Sequence, residues 1–552
     1  MKTLWYKSMA FYQVWPRSFK DGNGDGIGDL YGILDKLDYI KRIGVDGIWF
    51  SPLYASPNAD YGYDIADYRA ISPDYGDLAV FRQVLDQAHA LGLKVIMDLV
   101  VNHTSDEHAW FQKSRRREDP YADYYIWRPA KPDGSPPNNW DSLFEGKAWA
   151  FDDVRGEYYL HLFVRKQPDL NMDNPLVREE VKDIMRFWLD MGVDGFREDV
   201  ITFISKEEGL PDDPLPVTRG MRYYVNGPHL QEYLMEFRRD VLDHYDCFAL
   251  GEAPMMTPQK ALRFIAEGAD QTLDLMFHFQ HMEADCLFTE YMPLPFSLRK
   301  LKRAFGRWQR KLAGKAWNTL YLENHDHPRI ISRYGSERYR VESGKMLAAS
   351  YLFQQGTPFI YQGQEIGMTN IALPSIDDYE DVLAKNNYQK YLKRQTPQRA
   401  LRRIQRACRD SARTPVQWDS GANAGFSVRK PWFALNPNYT TVNVAAAEAD
   451  PNSLLHFYRA ALQLRKATPA LLWGDYREYR ACSGKLYVYA REYEGKKALV
   501  ICSFTEKPVR FTTPRGFSLA GRVPALCNYP DAPIVGEGFV TRPYETRVYL
   551  LP

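Results

Sequence analysis

Four things are missing from this chain of 552 residues: a long apolar run, a pair of cysteines close in sequence, an excess of charge of either sign, and an internal repeat. Each absence removes a class of protein. The stretch Met1-Lys2-Thr3-Leu4-Trp5-Tyr6-Lys7 has no apolar run before its second lysine. Neither a secretion signal nor a membrane span is therefore expected, and the cytoplasm is the default address. The six cysteines (Cys247, Cys286, Cys408, Cys482, Cys502 and Cys527) are scattered and form no Cys-x-x-Cys, which argues against a zinc knuckle and a disulfide scaffold. With 71 Lys and Arg against 70 Asp and Glu, a net charge of +1 gives no global field to attract nucleic acid or an anionic membrane. The expected partner is a neutral small molecule. A stretch dense in Lys and Arg, Gln389 to Arg413, leaves local nucleic-acid binding open, with a solvated helix face as the plainer reading.

What is abundant is aromatic: 14% of the residues, with 37 Tyr and 13 Trp. Flat platforms suit amphipathic rings such as sugars, and large cores use aromatics too. The length exceeds one simple core and implies two or three domains, although a barrel can absorb about 250 residues by itself.

Secondary-structure periodicity sets the architecture. Ala10 to Trp15 reads as a strand, Tyr31 to Ile43 as a helix, Gly47 to Pro52 as a strand, Asp77 to Leu91 as a helix and Lys94 to Val101 as a strand. This βαβα order implies parallel strands. Four acids, Asp98, Asp199, Glu252 and Asp326, fall at or near the carboxyl ends of four separate strand candidates, as a (β/α)8 barrel needs to assemble a site. The expected fold class is α/β: a (β/α)8 TIM barrel with an inserted domain after the third strand and a C-terminal all-β sandwich domain. Its expected divisions are barrel 1–103, inserted domain 104–172, barrel 173–473 with an irregular insertion at about 368–432, and β domain 474–552.

Three local patterns carry chemistry. In Gly195-Phe-Arg-Glu-Asp-Val200, strand alternation points Arg197 and Asp199 the same way, either as a structural ion pair or as a carboxylate held ready to act. In Asp21-Gly-Asn23-Gly-Asp25-Gly-Ile27-Gly-Asp29, oxygen-bearing side chains alternate with glycines, as in a loop wound round one hard cation. Gly32 at the twelfth position departs from an EF-hand, and a metal-free Asp/Gly turn is the alternative. His103 and His325 are either sugar ligands or satisfied core histidines.

Taken in order, Asp98 to His103, Gly195 to Val200, Gly251-Glu-Ala253, Asn324-His-Asp326 and Gln167 to Asn171 resemble the five signatures of the α-amylase superfamily, glycoside hydrolase family 13. Gln167-Pro-Asp-Leu-Asn171, Gly363 to Asn370 and Ala412 to Trp418 resemble its oligo-1,6-glucosidase and α-glucosidase subgroup. The resemblance covers essentially the whole chain. It implies Asp199 as nucleophile, Glu252 as general acid and base with a raised pKa, and Asp326 as third carboxylate, with Arg197 keeping Asp199 charged. It implies substrate binding by Asp60, Tyr63, His103, Phe163, Gln167, Arg197, Val200, His325 and Arg413, the last closing the pocket on the non-reducing sugar. It also implies a structural Ca2+ held by Asp21, Asn23, Asp25, Ile27 and Asp29, no organic cofactor, and a monomer or weak homo-oligomer.

In the resembling group, valine after the nucleophile accompanies α-1,6 activity, and here that residue is Val200. The implied activity is a retaining, exo-acting α-glucosidase on short isomalto-oligosaccharides. Alternatives are an α-1,4-glucosidase, a trehalose-6-phosphate hydrolase, a sucrose isomerase or transglucosylase, and a transporter heavy chain without activity. The last needs a membrane span and lacks the acids kept here. The segment Gln280 to Asp285 lacks the Arg-Leu-Asp-Arg-Asp run of sucrose isomerases. Glu198 stands where an apolar residue is frequent and should face away from Asp199; Glu323 and His327 are expected on the leaving-group side.

Overall fold

The computed structural model describes residues 4–144 and 146–552; the first three residues of the N-terminal stretch read above, and Glu145, lie outside it. Eight parallel strands form the central sheet: Phe11–Val14 (β1), Gly47–Phe50 (β2), Lys94–Leu99 (β3), Gly195–Glu198 (β4), Phe248–Glu252 (β5), Leu275–Phe277 (β6), Thr319–Leu320 (β7) and Thr357–Tyr361 (β8). Their order, β6-β5-β4-β3-β2-β1-β8-β7, is that of a barrel open only between β6 and β7. There the Thr319 hydroxyl donates to the Met276 carbonyl at 2.9 Å, so a side chain spans the seam.

Helices alternate with the strands as the pattern requires. Pro175–Met191 begins at Asn174, whose side chain accepts from the Leu176 amide, and ends at Gly192 in the left-handed region with φ of 107°. The chain then enters β4 at Gly195, where a Cβ would stand 2.2 Å from the Phe248 carbonyl oxygen. Glycine is required there for β4 to lie against β5. Between β4 and β3 the register pairs Arg197 with Asp98, which sets the two side chains level on one face.

The segment between β3 and β4 carries a small antiparallel sheet of Trp127–Arg128, Glu157–Leu160 and Trp149–Asp152. Its core contains Trp140, Leu162 and Phe163 together with Val200 and Phe203, so the insertion is packed onto the loop that follows β4. After β8 the chain forms helices Val382–Leu392, Pro397–Ala407 and Asp410–Arg413. In the second of these Ala400, Ile404 and Ala407 are buried while Arg399, Arg402 and Arg406 are exposed. This helix presents a solvated basic face, whereas Arg409 and Arg413 of the same stretch are buried.

From Asp475 onward the strands form a five-stranded antiparallel sheet, with a separate ribbon of Arg510–Thr512 and Gly538–Val540. Phe511 of the ribbon packs with Leu486, Val488 and Tyr549 of the sheet. The sheet is tied to the barrel by the Tyr489 hydroxyl, which donates to the Ala349 carbonyl at 3.0 Å. Six free cysteines are distributed through these parts, Cys482 alone of them exposed.

Candidate active site

At the carboxyl ends of the barrel strands lies a cavity of about 230 Å³, lined by Asp60, Tyr63, His103, Phe163, Asp199, Val200, Glu252 and Asp326 among others. Its floor is organised by Arg197, fully buried on β4. One nitrogen, Nη1, donates to Asp98 Oδ1 at 2.9 Å and to Asp199 Oδ1 at 2.6 Å, and Nη2 reaches Glu252 Oε2 at 2.8 Å. The same Glu252 oxygen accepts the Val200 amide at 3.0 Å. Among the described residues none hydrogen-bonds to Asp199 Oδ2 or Glu252 Oε1.

One guanidinium shared among three buried carboxyls supports each charge less than it would support a single partner. Burial pushes Asp98 up to about 7 against the pull of Arg197. Asp199 is driven well above the ordinary carboxylate range by burial, against the pull of Arg197 and with the charges of Glu252 and Asp98 adding to the rise. The arginine expected to keep Asp199 charged is shared with Asp98 and Glu252.

Asp326 is the opposite case. His325, Arg409 and Arg413 hold it far below the usual range despite its burial. Arg409 Nη1 stands 2.9 Å and Arg413 Nη2 3.1 Å from its Oδ1. His325 meets Asp326, the Tyr63 hydroxyl and Gln13, and stacks on Tyr63 with ring centroids 5.3 Å apart. Burial lowers His325 and His103 to about 4, so both imidazoles are neutral at physiological pH.

Several predicted residues stand behind the cavity wall. Gln167 donates to Asp60 Oδ2 at 3.2 Å, and Arg197 and His325 are buried beneath the carboxyls they hold. Arg413 does not close the cavity: it lies under Asp326 and over the Trp15 ring, donating to the His325 carbonyl at 3.0 Å. The wall residue is Arg409, four positions earlier and one helical turn away. It bonds Asp60 Oδ1 at 3.2 Å, Asp326 at 2.9 Å and Asp381 at 3.1 Å. The motif Ala412 to Trp418 contains Arg413 but not Arg409, so the sequence pointed to the buried arginine rather than to the wall residue. Phe144, Phe203, Met221, Met255, Phe279 and Leu383 also line the cavity and carried no motif.

The two flanking departures separate. Glu323 is buried in a structural pair with Arg329 at 3.0 Å and accepts the Ile330 amide at 2.7 Å, so it is not on the leaving-group side. His327 lines a neighbouring cavity. Glu198 faces away from Asp199 as strand alternation requires, into a site where its Oε2 has no hydrogen-bond partner.

In the Asp21-to-Asp29 loop the carboxylates are turned onto backbone amides. Asp21 accepts from Gly24 and Gly26 at 2.6 and 2.9 Å, Asp25 from Ile27 at 2.7 Å, and Asp29 caps helix Leu30–Ile43 through Gly32 at 2.7 Å while accepting from Gly22 and Asn23. Among the described residues no group of three or more Asp, Glu, His or Cys converges as a metal site. The donor set itself is all oxygen, as a hard cation prefers.

A (β/α)8 barrel that gathers carboxyls at its strand ends around one arginine is an arrangement that suits a glycoside hydrolase. The family model described as the alpha-amylase catalytic domain matches residues 13–474, and the chain belongs to that family. It is 47% identical to an oligo-1,6-glucosidase of Parageobacillus thermoglucosidasius, over 100% of this chain and 99% of that protein. Among solved structures it is similar to the trehalose-6-phosphate hydrolase of Bacillus licheniformis, at 41% identity and a TM-score of 0.93 with 99% of each chain covered. It is equally similar to the trehalulose synthase of Pseudomonas mesoacidophila, at 41% identity and a TM-score of 0.94 with 99% of each covered.

Proposed function

We propose that this glycoside hydrolase is a retaining, exo-acting α-glucosidase that cleaves α-1,6 bonds at the non-reducing ends of short isomalto-oligosaccharides. The observation that carries it is the bridging of Asp199 and Glu252 by opposite ends of Arg197 in a cavity walled by the Asp60–Arg409–Asp326 ion pairs. Two carboxyls so held suit the separation of about 5–5.5 Å used in retention, while inversion needs room for a water between them. The ion pairs make one end of the cavity a wall, which suits a terminal glucose.

In this reading the proton shared within the Asp98, Asp199 and Glu252 cluster resides on Glu252 when substrate is bound, which leaves Asp199 ionised. Asp199 Oδ2 attacks the anomeric carbon as the bond to the leaving oxygen breaks. A proton on Glu252 Oε1 passes to that oxygen. Water then attacks the glucosyl ester, returns a proton to Glu252 and frees the Asp199 carboxylate, so that glucose leaves as the α-anomer. Asp326, held ionised by two arginines, grips sugar hydroxyls.

The linkage rests on Val200, whose side chain lines the cavity beside Glu252. The oligo-1,6-glucosidase relatives support it. A trehalose 6-phosphate substrate would call for free cations near the cavity, whereas Arg409, the one Lys or Arg lining it among the described residues, is already shared by three carboxylates. The Asp21-to-Asp29 loop would hold calcium through Asp21, Asn23, Asp25, Asp29 and the Ile27 carbonyl, bracing the chain after β1. No described helix is long and apolar enough to cross a membrane. The unpaired cysteines suit the cytoplasm.

The test is a product assay with isomaltose, isomaltotriose, maltose, sucrose and trehalose 6-phosphate, with the anomer followed by NMR. Isomaltose is expected to give α-glucose first. Release of β-glucose would sink retention, and preferential cleavage of maltose or trehalose 6-phosphate would replace the linkage assignment.

A further inference from the structure

Beside the catalytic cavity lies a second one of about 460 Å³, and Met221, Pro254, Met255 and Phe279 line both. Pro254 and Met255 follow Glu252 almost directly in the chain. The oxygen that Glu252 protonates must lie next to them, so a leaving group extends over this shared wall into the second cavity.

The chemistry of that cavity is unlike a sugar site. Met255, Met282, Met292, Phe279 and Phe288 dominate its lining. Its charged side chains are largely spoken for: His327 meets Glu290 at 2.8 Å, and Arg333 binds Glu290 at 3.1 Å. At the rim Met255 is 56% exposed, Met292 47% and Phe288 77%, an apolar edge of the kind that marks a binding site. The backbone at Thr218, Met255 and Phe288 is left-handed, with φ of 50°, 57° and 65°, a conformation non-glycine residues adopt seldom and hold where function constrains them. Thioether side chains adapt their shape to apolar ligands.

We infer that this cavity receives apolar leaving groups, so that α-glucosides of medium-chain alcohols are substrates alongside glucosyl sugars; this rests on the α-glucosidase reading of the adjoining site. Phe288 and Met292 determine that preference, because they line the second cavity and not the first.

The test compares kcat/KM for methyl and octyl α-D-glucopyranoside, the latter below its micelle concentration, with isomaltose as a third substrate. The octyl glucoside is expected to exceed the methyl by about tenfold or more, the worth of about two buried methylenes. In Phe288→Ser and Met292→Ser, whose side chains are largely exposed and not needed for folding, that ratio falls to within about threefold while the methyl value is unchanged. An octyl glucoside no better than the methyl, or a preference that survives both substitutions, overturns the inference. Cleavage of both alkyl glucosides with isomaltose intact would instead overturn the α-1,6 reading and leave the apolar cavity standing. Failure on all three removes both.

Discussion

The main-chain amide of Val200 donates to Glu252 Oε2 at 3.0 Å, so the residue after the nucleophile touches the proposed acid with its backbone while its side chain lines the cavity. Its φ of 35° and ψ of 38° are left-handed, unusual for a β-branched residue. Exchanging Val200 for threonine keeps the branch and the amide and alters only the surface beside the scissile bond. The ratio of maltose to isomaltose hydrolysis should rise by up to about tenfold, the range open to a pocket-shape change of one group. An unchanged ratio would detach linkage from this position.

Arg409 holds Asp60, Asp326 and Asp381 together, and its loss takes the charge partner from the buried Asp60 and Asp381 while Asp326 keeps Arg413. Arg409→Ala should lower kcat/KM for isomaltose by about 100-fold or more, because breaking a buried pair costs about 3–5 kcal/mol. Arg413→Ala, under Asp326 and off the cavity wall, should spare KM more than Arg409→Ala does. Steady-state kinetics on both variants decides it; equal KM effects would return Arg413 to the wall.

Glu198 has its pKa raised from 4.5 to about 8 by burial, with the charge of Asp274 adding to it. A folded-state pKa above the unfolded one means the native state binds the extra proton. Its stabilising effect is present below pH 4.5 and is lost as pH rises towards 8. Glu198→Gln should therefore raise Tm at pH 8 by about 2 °C or more relative to the parent, with little gain at pH 4.5. Because the side chain faces away from Asp199, kcat should change little. A Tm difference independent of pH would mean Glu198 is not titrating in this window.

The loop from Asp21 to Asp29 gives a direct test of calcium. Millimolar calcium after EGTA should raise Tm by a few degrees, since a ligand at about 100 times its Kd adds about 2.7 kcal/mol. Asp25→Ala should abolish that increment. The same Tm with EGTA and with calcium would leave the loop as the amide-bonded turn described above.

Much of the fold was legible because strand and helix periods are local. Lys94–Leu99 and Leu30–Ile43 lie within two residues of their expected limits, and the acids at strand ends follow from the same alternation. The pairing of Arg197 with Asp199 was legible for the same reason. The Arg409–Asp60 pair was not, since it joins residues 349 apart in sequence and Arg409 lies outside the Ala412-to-Trp418 motif that contains Arg413.

The sequence by itself determined the alternation of strands and helices, the family, and which acids stand at the strand ends, because each depends on a short repeat or a contiguous motif. Only the tertiary structure decided how the charges are shared. One Arg197 serves Asp98, Asp199 and Glu252, Arg409 rather than Arg413 forms the wall, and an apolar cavity assembled from residues 217–292 and His327 opens beside the carboxyls. The physical reason is that burial and charge are sums over everything packed round a group, and those neighbours come from distant parts of the chain.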